Sequence, residues 1–154
     1  MAKEIERKFL VDGKPWELYA HVKGRRISQG YISKSKQHTV RIRLVAPNEA
    51  YITIKGPKHG FSCDEFEYVI PYDDGVQLMT LCDTGLIEKT RYVFKDDNNQ
   101  LWEVDAFAGN NAGLIVAEIE LASEDTPVIL PVWITSEVTF DKRYTNSYLS
   151  THTV

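Results

Sequence analysis

Residues 4–11 of this 154-residue chain read Glu4-Ile5-Glu6-Arg7-Lys8-Phe9-Leu10-Val11 and carry a charge on every second position. Glu4, Glu6 and Lys8 share one parity, whereas Ile5 and Phe9 share the other. In a β-strand, residues two apart point to the same side of the sheet. The segment therefore predicts a strand with one charged face and one largely apolar face.

Three further segments repeat this alternation of charged and apolar residues. They are Thr39-Val40-Arg41-Ile42-Arg43-Leu44, Asp64-Glu65-Phe66-Glu67-Tyr68 and Val116-Ala117-Glu118-Ile119-Glu120-Leu121. A charged face normally points to solvent. Neighbouring like charges on a solvent-exposed face repel each other, however, and destabilise the sheet. They are stabilised when a cation or a polyanion lies between them. Carboxylate rows suit divalent metals and arginine rows suit phosphate, so the pattern indicates a site for a metal-bound polyphosphate.

The remaining segments are mostly strands and turns. Strands are predicted over residues 4–11, 27–33, 39–45, 51–55, 65–70, 86–95, 101–107 and 115–121. Turn-forming residues such as Ala46-Pro47-Asn48-Glu49 separate them, which favours antiparallel neighbours. Helices are predicted over residues 15–20, from Asp73 or Asp74 to Cys82, and from Asp141 to about Ser150.

This element pattern predicts a mainly β, α+β fold. A long antiparallel sheet exposes its edges unless it closes, and about eight strands form a barrel that holds side chains or one small ligand. The chain length fits one domain over residues 1–154. We therefore expect a closed eight-stranded antiparallel β-barrel with a few helices packed outside.

Bulk composition excludes several classes of protein. The net charge is −4, from 18 basic and 22 acidic residues, which argues against nucleic-acid binding. The sequence has no signal peptide and no apolar run long enough to span a bilayer, so no membrane association is expected. Cys63 and Cys82 show no metal or disulfide spacing, and two reduced thiols predict a cytoplasmic protein.

The charged rows supply two sets of candidate site residues. The candidate metal ligands are Glu4, Glu6, Glu65, Glu67, Asp105, Glu118 and Glu120, with Glu103 in reserve. Because these are hard oxygen donors, Mg²⁺ or Mn²⁺ is the expected cofactor. The candidate phosphate-binding residues are Lys8, Arg41, Arg43, Lys55, Lys89, Arg91 and Arg143. Burying either set alone would be costly, but together they compensate each other.

The order of these segments resembles the CYTH, or triphosphate tunnel metalloenzyme, superfamily. The Glu4-Ile5-Glu6-Arg7-Lys8 motif is similar to the superfamily's Glu-x-Glu-x-Lys signature, and the downstream motifs follow in family order. These are Gln29-Gly30-Tyr31, Arg41-Ile42-Arg43, Thr53-Ile54-Lys55, Glu65-Phe66-Glu67, Glu88-Lys89-Thr90-Arg91-Tyr92, Glu103-Val104-Asp105, Glu118-Ile119-Glu120 and Arg143-Tyr144-Thr145-Asn146. The resemblance covers nearly the whole chain and is strongest to small bacterial inorganic triphosphatases.

This resemblance implies that the charged faces point inward, into a closed tunnel. It implies an enzyme that hydrolyses the phosphoanhydride bond of tripolyphosphate to give pyrophosphate and phosphate, with nucleoside triphosphates as further substrates. Class IV adenylate cyclase and thiamine triphosphatase are the alternatives within the superfamily. A non-catalytic polyphosphate-binding module is the alternative outside it. The partner is a small polyphosphate, and a homodimer is left open.

The resemblance also assigns roles to the charged residues. Glu4, Glu6, Glu118 and Glu120 are expected to hold a first metal, and Glu65, Glu67 or Asp105 a second. Lys8, Lys55 and Lys89 are expected to be catalytic. The expected phosphate ligands are Arg41, Arg43, Lys55, Lys89, Arg91 and Arg143. Metal activation of the water is favoured over a lysine base, because nearby acids raise a lysine pKa.

Cys63 departs from the family pattern. Relatives often have a basic residue two positions before the Glu-Phe-Glu motif, and this chain has Cys63 there. By parity Cys63 faces the same side as Glu65. One phosphate contact is therefore expected to be missing, unless the change is a neutral one at the tunnel rim.

Overall fold

The fold is an antiparallel sheet rolled into a closed ring. The computed structural model describes residues 3–83 and 85–153. The strands are β1 Lys3–Val11, β2 Arg25–Lys34, β3 Thr39–Val45, β4 Glu49–Lys55, β5 Ser62–Ile70, β6 Ile87–Lys95, β7 Leu101–Phe107, β8 Ile115–Glu120 and β9 Ile134–Glu137. The eight predicted strands are all present, and β3 and β7 match their predicted bounds.

Strand β1 closes the barrel. The hydrogen-bonded order is β5-β4-β3-β2-β6-β7-β8-β1, and the pairing of Lys3–Ile5 with Ser62–Asp64 joins β1 back to β5. All of these pairings are antiparallel. The closed eight-stranded barrel predicted from the alternating segments is therefore confirmed.

A ninth strand, β9, was not predicted. Strand β5 pairs with β1 only as far as Ile5, and β9 pairs with the Phe9–Val11 end of the same edge of β1. The strand has only four residues, so its alternation is too short to be recognised in the sequence. Its pairing covers an edge of β1 that would otherwise expose unpaired backbone groups.

The helices are shorter than the sequence predicted. Helix α1 spans Tyr72–Met79 and begins after Pro71, with Asp73 and Asp74 in its first turn. The predicted helix near Pro15 is a 3₁₀ helix, Pro15–Leu18. None of the helices in residues 3–83 and 85–153 is both long and apolar enough to cross a membrane.

The predicted C-terminal helix is divided in two. Asp141 does cap a helix, but this is the 3₁₀ helix Lys142–Tyr144. Thr145 then adopts an extended conformation, and its side chain accepts a hydrogen bond from the Tyr148 backbone N–H to start helix α2, Asn146–Leu149. The break at Thr145 turns this segment towards one end of the barrel.

The apolar core lies outside the barrel wall. Its main cluster is formed by Phe9, Phe94, Trp102, Val104, Ala117, Ile119, Leu121 and Trp133. The strand members of this cluster have the parity opposite to that of the charged rows. Ring contacts such as that between Trp16 and Tyr92, with centroids 4.0 Å apart, cover the outer face. The inner faces of the strands carry the charged side chains, together with a smaller buried cluster of Ile87, Phe107 and Val116 that has the same parity and packs against Leu149.

Helix α1 approaches the outer face of β3 and β4 closely at Gly75. A Cβ atom at this position would lie 2.6 Å from the Ala50 Cβ and 2.9 Å from the Leu44 Cδ2. These contacts are too short for any larger residue, so glycine allows the helix to pack directly on the barrel wall.

Candidate active site

The barrel encloses a cavity of about 310 Å³, which we call the tunnel cavity. Most of the predicted site residues line it: Glu4, Glu6, Lys8, Arg41, Arg43, Lys55, Glu65, Glu67, Arg91, Glu118 and Glu120, together with the reserve residue Glu103. They come from β1 and β3–β8, where the two-residue period places each of them on the inner face. The charged rows therefore point inward, as the family resemblance implied.

Carboxylates crowd the wall formed by β1 and β8. Strand register places Glu6 opposite Glu120 and Lys8 opposite Glu118. Burial and the adjacent Glu118 carboxylate raise the pKa of Glu6 well above its usual value. The Lys8 Nζ lies 3.7 Å from Glu118, so one ammonium partly compensates this wall. The carboxylates thus outnumber the cations that face them.

Lys55 joins this wall to β5. Its Nζ lies 2.7 Å from the Glu4 Oε1 and 3.4 Å from the Glu65 Oε2. Although burial disfavours the ammonium, the Glu4 and Glu6 carboxylates raise the pKa of Lys55 above its ordinary value. Lys55 therefore stays protonated and is unsuited to act as a general base. Burial and the neighbouring Glu4 raise the pKa of Glu65 to about 7.

The shifted carboxyl of Glu65 predicts a pH-dependent stability in the metal-free protein. Glu65 keeps its proton up to about pH 7 when folded but loses it near 4.5 when unfolded. The stability contributed by the neutral carboxyl is therefore present below the unfolded pKa and is lost as the pH rises towards 7. As the pH rises from 4.5 to 7, the unfolding free energy of Glu65→Gln should increase relative to that of the wild type. Above pH 7 the difference between the two proteins should stay constant.

Urea titrations in chelator across this pH range measure the difference between the two proteins. A difference that is constant from pH 4.5 to 7 would show that Glu65 is not desolvated in the tunnel.

A pair of arginines occupies the opposite wall, on β3. The Arg43 Nε donates to the Gln29 Oε1 at 2.8 Å, and an Arg41 terminal nitrogen donates to the Thr53 hydroxyl at 3.2 Å. The Thr53 hydroxyl in turn donates to Glu67 at 2.9 Å. Gln29 and Thr53 are neutral and almost fully buried, so they orient the two guanidinium groups without adding a negative charge, whereas Glu67 lies 3.5 Å from a terminal nitrogen of Arg41 and partly compensates it.

Donor groups on this wall are left without partners. Within the described residues, the buried Arg41 Nε and Gln29 Nε2 have no hydrogen-bond acceptor. Burial, followed by the charges of Arg41 and Arg91, lowers the pKa of Arg43 to about 9. Buried donors and excess positive charge are both costly unless an acceptor is present. This wall is therefore built to receive an anion.

Two of the predicted site residues, Lys89 and Asp105, do not line the cavity. The Lys89 Nζ lies 2.7 Å from one Asp105 oxygen, and Arg91 donates to both Asp105 oxygens at 2.8 and 2.9 Å. Both carboxylate oxygens of Asp105 are thus already paired with cations. Lys89 is fully buried and shares the parity of Arg91 on β6, and its Nζ lies 3.2 Å from the Oδ1 of Asn146, a residue that lines the cavity.

Arg143 also lies outside the tunnel cavity. Its Nε and a terminal nitrogen donate to the two oxygens of Asp141 at 3.0 and 2.7 Å, and its side chain is 60% exposed. The carboxylate two residues earlier holds the guanidinium towards solvent. The predicted role of Arg143 as a phosphate ligand is therefore not supported by its position.

The segment after Arg143 closes one end of the tunnel instead. The Lys8 Nζ donates to the Tyr144 carbonyl at 3.0 Å, and the Lys89 Nζ donates to the Asn146 Oδ1 at 3.2 Å. Thr145, Asn146 and Ser147 line the cavity. The only sequence signal for them was the family-like Arg143-Tyr144-Thr145-Asn146 motif, in which the arginine appeared to be the functional residue. Gln29 was likewise missed, because a buried neutral side chain carries no charge pattern.

Cys63 lines the tunnel cavity beside the acidic wall. Its Sγ lies 3.7 Å from the Glu4 Oε1. Burial raises the pKa of this thiol to about 11, so it stays neutral. The position at which relatives often have a basic residue is thus inside the site and contributes no charge.

Cys63→Arg should tighten the binding of tripolyphosphate. A charge-assisted hydrogen bond contributes about 1.5–3 kcal/mol. Because solvent at the cavity weakens this bond, KM should fall by roughly tenfold or less. KM and kcat for tripolyphosphate measure this, with Cys63→Ser as the neutral control. If KM is unchanged and kcat falls, the new guanidinium pairs with Glu4 or Glu65 and no phosphate contact was missing.

The acidic wall fits a divalent cation by its donor chemistry. Glu4, Glu6, Glu65, Glu118 and Glu120 offer hard oxygen donors in one cavity, and burial together with the neighbouring carboxylates raises the pKa of Glu6. Mg²⁺ and Mn²⁺ prefer such donors. In the described part of the chain, no three such side chains already converge on one point. Glu4 and Glu118 are held by Lys55 and Lys8 instead.

A closed β-tunnel with an acidic wall facing an arginine wall defines a class of polyphosphate-binding tunnel proteins. The CYTH domain model matches residues 2–151, and the chain belongs to the CYTH family. It is 45% identical to the inorganic triphosphatase of Acetivibrio thermocellus over 150 residues, which is 97% of this chain and 94% of that protein. It is 37% identical to the inorganic triphosphatase of Nitrosomonas europaea over 150 residues, 96% of each chain.

A solved structure shows the same fold. The crystal structure of the inorganic triphosphatase NE1496 has a TM-score of 0.71 to this chain and is 34% identical, and the match covers 99% of this chain and 97% of that one. The fold is therefore shared along nearly the full length of both proteins.

Proposed function

We propose that this protein is an inorganic triphosphatase, a phosphoanhydride hydrolase that cleaves tripolyphosphate into pyrophosphate and phosphate. The observation that carries this proposal is a wall with buried donors that have no acceptor, the Arg41 Nε and the Gln29 Nε2, facing a wall of crowded carboxylates across one cavity. A metal-bound polyphosphate satisfies both surpluses together. The inorganic triphosphatases with which the chain aligns over almost its whole length support the same activity.

The carboxylates are assigned to the metal. Glu4, Glu6, Glu118 and Glu120 would hold a first Mg²⁺ or Mn²⁺, and Glu65 with Glu67 would help to hold a second. When bound, such ions neutralise phosphate charge and make a water molecule more acidic. This surplus of carboxylates also repels the substrate when no cation is present, so the acidic wall makes substrate binding depend on metal.

The basic side chains are assigned to the substrate. Arg41, Arg43 and Arg91 present guanidinium donors to the tunnel, and arginine binds phosphate oxygens in a bidentate manner. Gln29 and Thr53 fix the rotamers of the arginine pair in advance, which reduces the entropy lost on binding. Phosphoryl transfer depends mainly on such positioning and charge neutralisation.

The lysines in the cavity act as cations in this scheme. Lys8 and Lys55 each face a carboxylate on the acidic wall, at the junction between the metal and phosphate sides. From there their ammonium groups can stabilise the charge that develops on the oxygens of the cleaved bond. Asp105 accepts hydrogen bonds from Arg91, and Lys89 donates to Asn146, so this ion pair would help to position two residues that line the cavity.

A substrate panel tests the proposal. Tripolyphosphate, ATP and thiamine triphosphate are each incubated with the protein and Mg²⁺ or Mn²⁺, and pyrophosphate, phosphate and cyclic AMP are quantified. We expect the highest kcat/KM with tripolyphosphate and equal amounts of pyrophosphate and phosphate. Production of cyclic AMP from ATP, or a preference for thiamine triphosphate, would overturn the assignment. Tight binding of tripolyphosphate without turnover would indicate a binding module.

A further inference from the structure

Asn146 lies where the C-terminal segment meets the tunnel cavity. It is the first residue of helix α2 and lines the cavity together with Thr145 and Ser147. In the sequence it was only the last residue of a family-like motif, whose arginine, Arg143, was expected to bind phosphate. Because Asp141 holds Arg143 towards solvent, the part of this motif that reaches the cavity is its neutral end.

The orientation of the Asn146 amide is fixed by Lys89. The Lys89 Nζ lies 3.2 Å from the Asn146 Oδ1, and Lys89 is itself fully buried and held by Asp105 at 2.7 Å. An ammonium group can only donate hydrogen bonds, so the amide must turn its oxygen towards Lys89. The NH2 group is therefore the side of the amide that meets the cavity. Its nitrogen, Nδ2, donates to no acceptor in residues 3–83 and 85–153.

The backbone around Asn146 is anchored on both sides. The Lys8 Nζ donates to the Tyr144 carbonyl at 3.0 Å, and the Lys34 Nζ donates to the Ser147 carbonyl at 2.9 Å. These lysines belong to β1 and β2, so two strands of the barrel hold the segment from either side. Helix α2 also ends in an apolar side chain that is buried against the barrel. The amide is thus positioned before any ligand arrives, which reduces the entropy lost on binding.

The hydroxyl protons of the two neighbouring residues are already engaged. The Thr145 hydroxyl donates to the Lys142 carbonyl at 2.8 Å, and the Ser147 hydroxyl lies 3.3 Å from the Thr145 hydroxyl. Because a hydroxyl has one proton to donate, Ser147 is the donor in this second bond. Among the side chains of this segment that line the cavity, the Asn146 NH2 group therefore keeps unused protons within the described part of the chain.

We propose that the Asn146 NH2 group donates a hydrogen bond to a phosphate oxygen of the triphosphate in the tunnel. This inference rests on the proposed function and adds a substrate contact to it. An amide NH2 group only donates and cannot bind a metal ion, so its partner must be an acceptor. Once the carboxylates hold a metal, phosphate oxygens are the acceptors that the substrate brings. A neutral donor also binds them without the cost of burying a further cation.

Two variants, Asn146→Asp and Asn146→Ala, test the proposal. Aspartate keeps an oxygen for Lys89 but loses the NH2 group, whereas alanine loses both. The Kd is measured by calorimetry with Mg²⁺ and imidotriphosphate, the tripolyphosphate analogue that has nitrogen in place of the bridging oxygens. Both variants should raise the Kd about tenfold or more, because a hydrogen bond to a charged group is lost. At high salt the increase in Asn146→Asp should persist, since screening weakens repulsion but does not restore the donor.

The thermal midpoint of the ligand-free protein separates a substrate contact from mere support of Lys89. Asn146→Ala should lower the midpoint because the buried ammonium loses an acceptor, whereas Asn146→Asp keeps that acceptor and should not. A wild-type Kd in Asn146→Asp would show that the asparagine only supports Lys89. A wild-type Kd in Asn146→Ala, or in Asn146→Asp at high salt, would show that the aspartate acts through its charge alone. Each of these results overturns the proposal.

Asn110→Asp is the matched control. Asn110 is exposed in the 3₁₀ helix Gly109–Asn111, outside the tunnel cavity, so this variant should change neither the Kd nor the thermal midpoint. Because the analogue reports binding without turnover, weaker binding in both Asn146 variants supports the inference even if the wild type does not hydrolyse tripolyphosphate. Hydrolysis by the wild type with unchanged binding in the variants overturns the inference alone. A wild type that does not bind the analogue overturns both.

Discussion

Glu6→Gln is expected to reduce tripolyphosphate turnover by on the order of a hundredfold or more while the barrel remains folded. Removing a side chain that merely orients a metal ligand costs 10–100-fold, and a ligand itself should cost at least as much. Glu6 faces Glu120 across β1 and β8 and interacts with the Glu118 carboxylate, so its own carboxylate lies within the acidic wall. Steady-state kinetics over a range of Mg²⁺ concentrations measure the effect.

The same substitution should stabilise the metal-free protein. Burial and Glu118 disfavour the charged form of Glu6, and glutamine removes that cost without changing the shape of the side chain. The thermal midpoint in chelator should therefore rise. Glu17→Gln, an exposed carboxylate in the 3₁₀ helix Pro15–Leu18, is the matched control and should change neither quantity. Wild-type turnover with unchanged metal affinity would exclude Glu6 as a ligand.

Arg43→Ala should weaken substrate binding and Ile42→Ala should reduce stability, although the two residues are adjacent. Arg43 points into the tunnel and is held by Gln29, whereas Ile42 is fully buried on the other face of β3. Arg43→Ala should raise KM for tripolyphosphate by roughly tenfold or more, because charge-assisted bonds contribute about 1.5–3 kcal/mol. Ile42→Ala should lower the free energy of unfolding by roughly 2–5 kcal/mol and leave KM unchanged.

Arg43→Lys refines this comparison. Lysine keeps the positive charge but cannot donate to Gln29 and to a phosphate in the same fork geometry, so an intermediate KM is expected. Urea unfolding and steady-state kinetics on all three variants measure these effects. If Ile42→Ala weakens substrate binding while Arg43→Ala affects stability alone, the two faces of β3 are reversed and the tunnel assignment fails.

Alternation in the sequence predicted the strands well because each strand has one charged and one apolar face. The bounds of β3, Thr39–Val45, followed directly from its alternation. The direction of the charged faces did not follow, since alternation is the same for an inward and an outward row. The family resemblance supplied that direction, and the apolar cluster around Trp102 outside the barrel accounts for it physically.

The positions of several site residues depend on contacts between residues that the sequence does not show as partners. Asp105 has the parity of a metal ligand, but strand register places it opposite Arg91, which occupies its oxygens. Arg143 lies in a family-like motif, but Asp141 binds its guanidinium. Gln29 and Asn146 bear no charge, and their roles depend on the cations that reach them in the folded chain.

The central claim, that two opposed charged walls hold a metal-bound polyphosphate for hydrolysis, is tested most directly by removing and restoring the metal. Tripolyphosphate hydrolysis is followed by phosphate release in excess EDTA and again after Mg²⁺ or Mn²⁺ is added above the chelator. We predict no measurable hydrolysis in EDTA and full recovery on addition of either ion. Undiminished hydrolysis in EDTA would contradict the account, because the acidic wall would then have no function in the reaction.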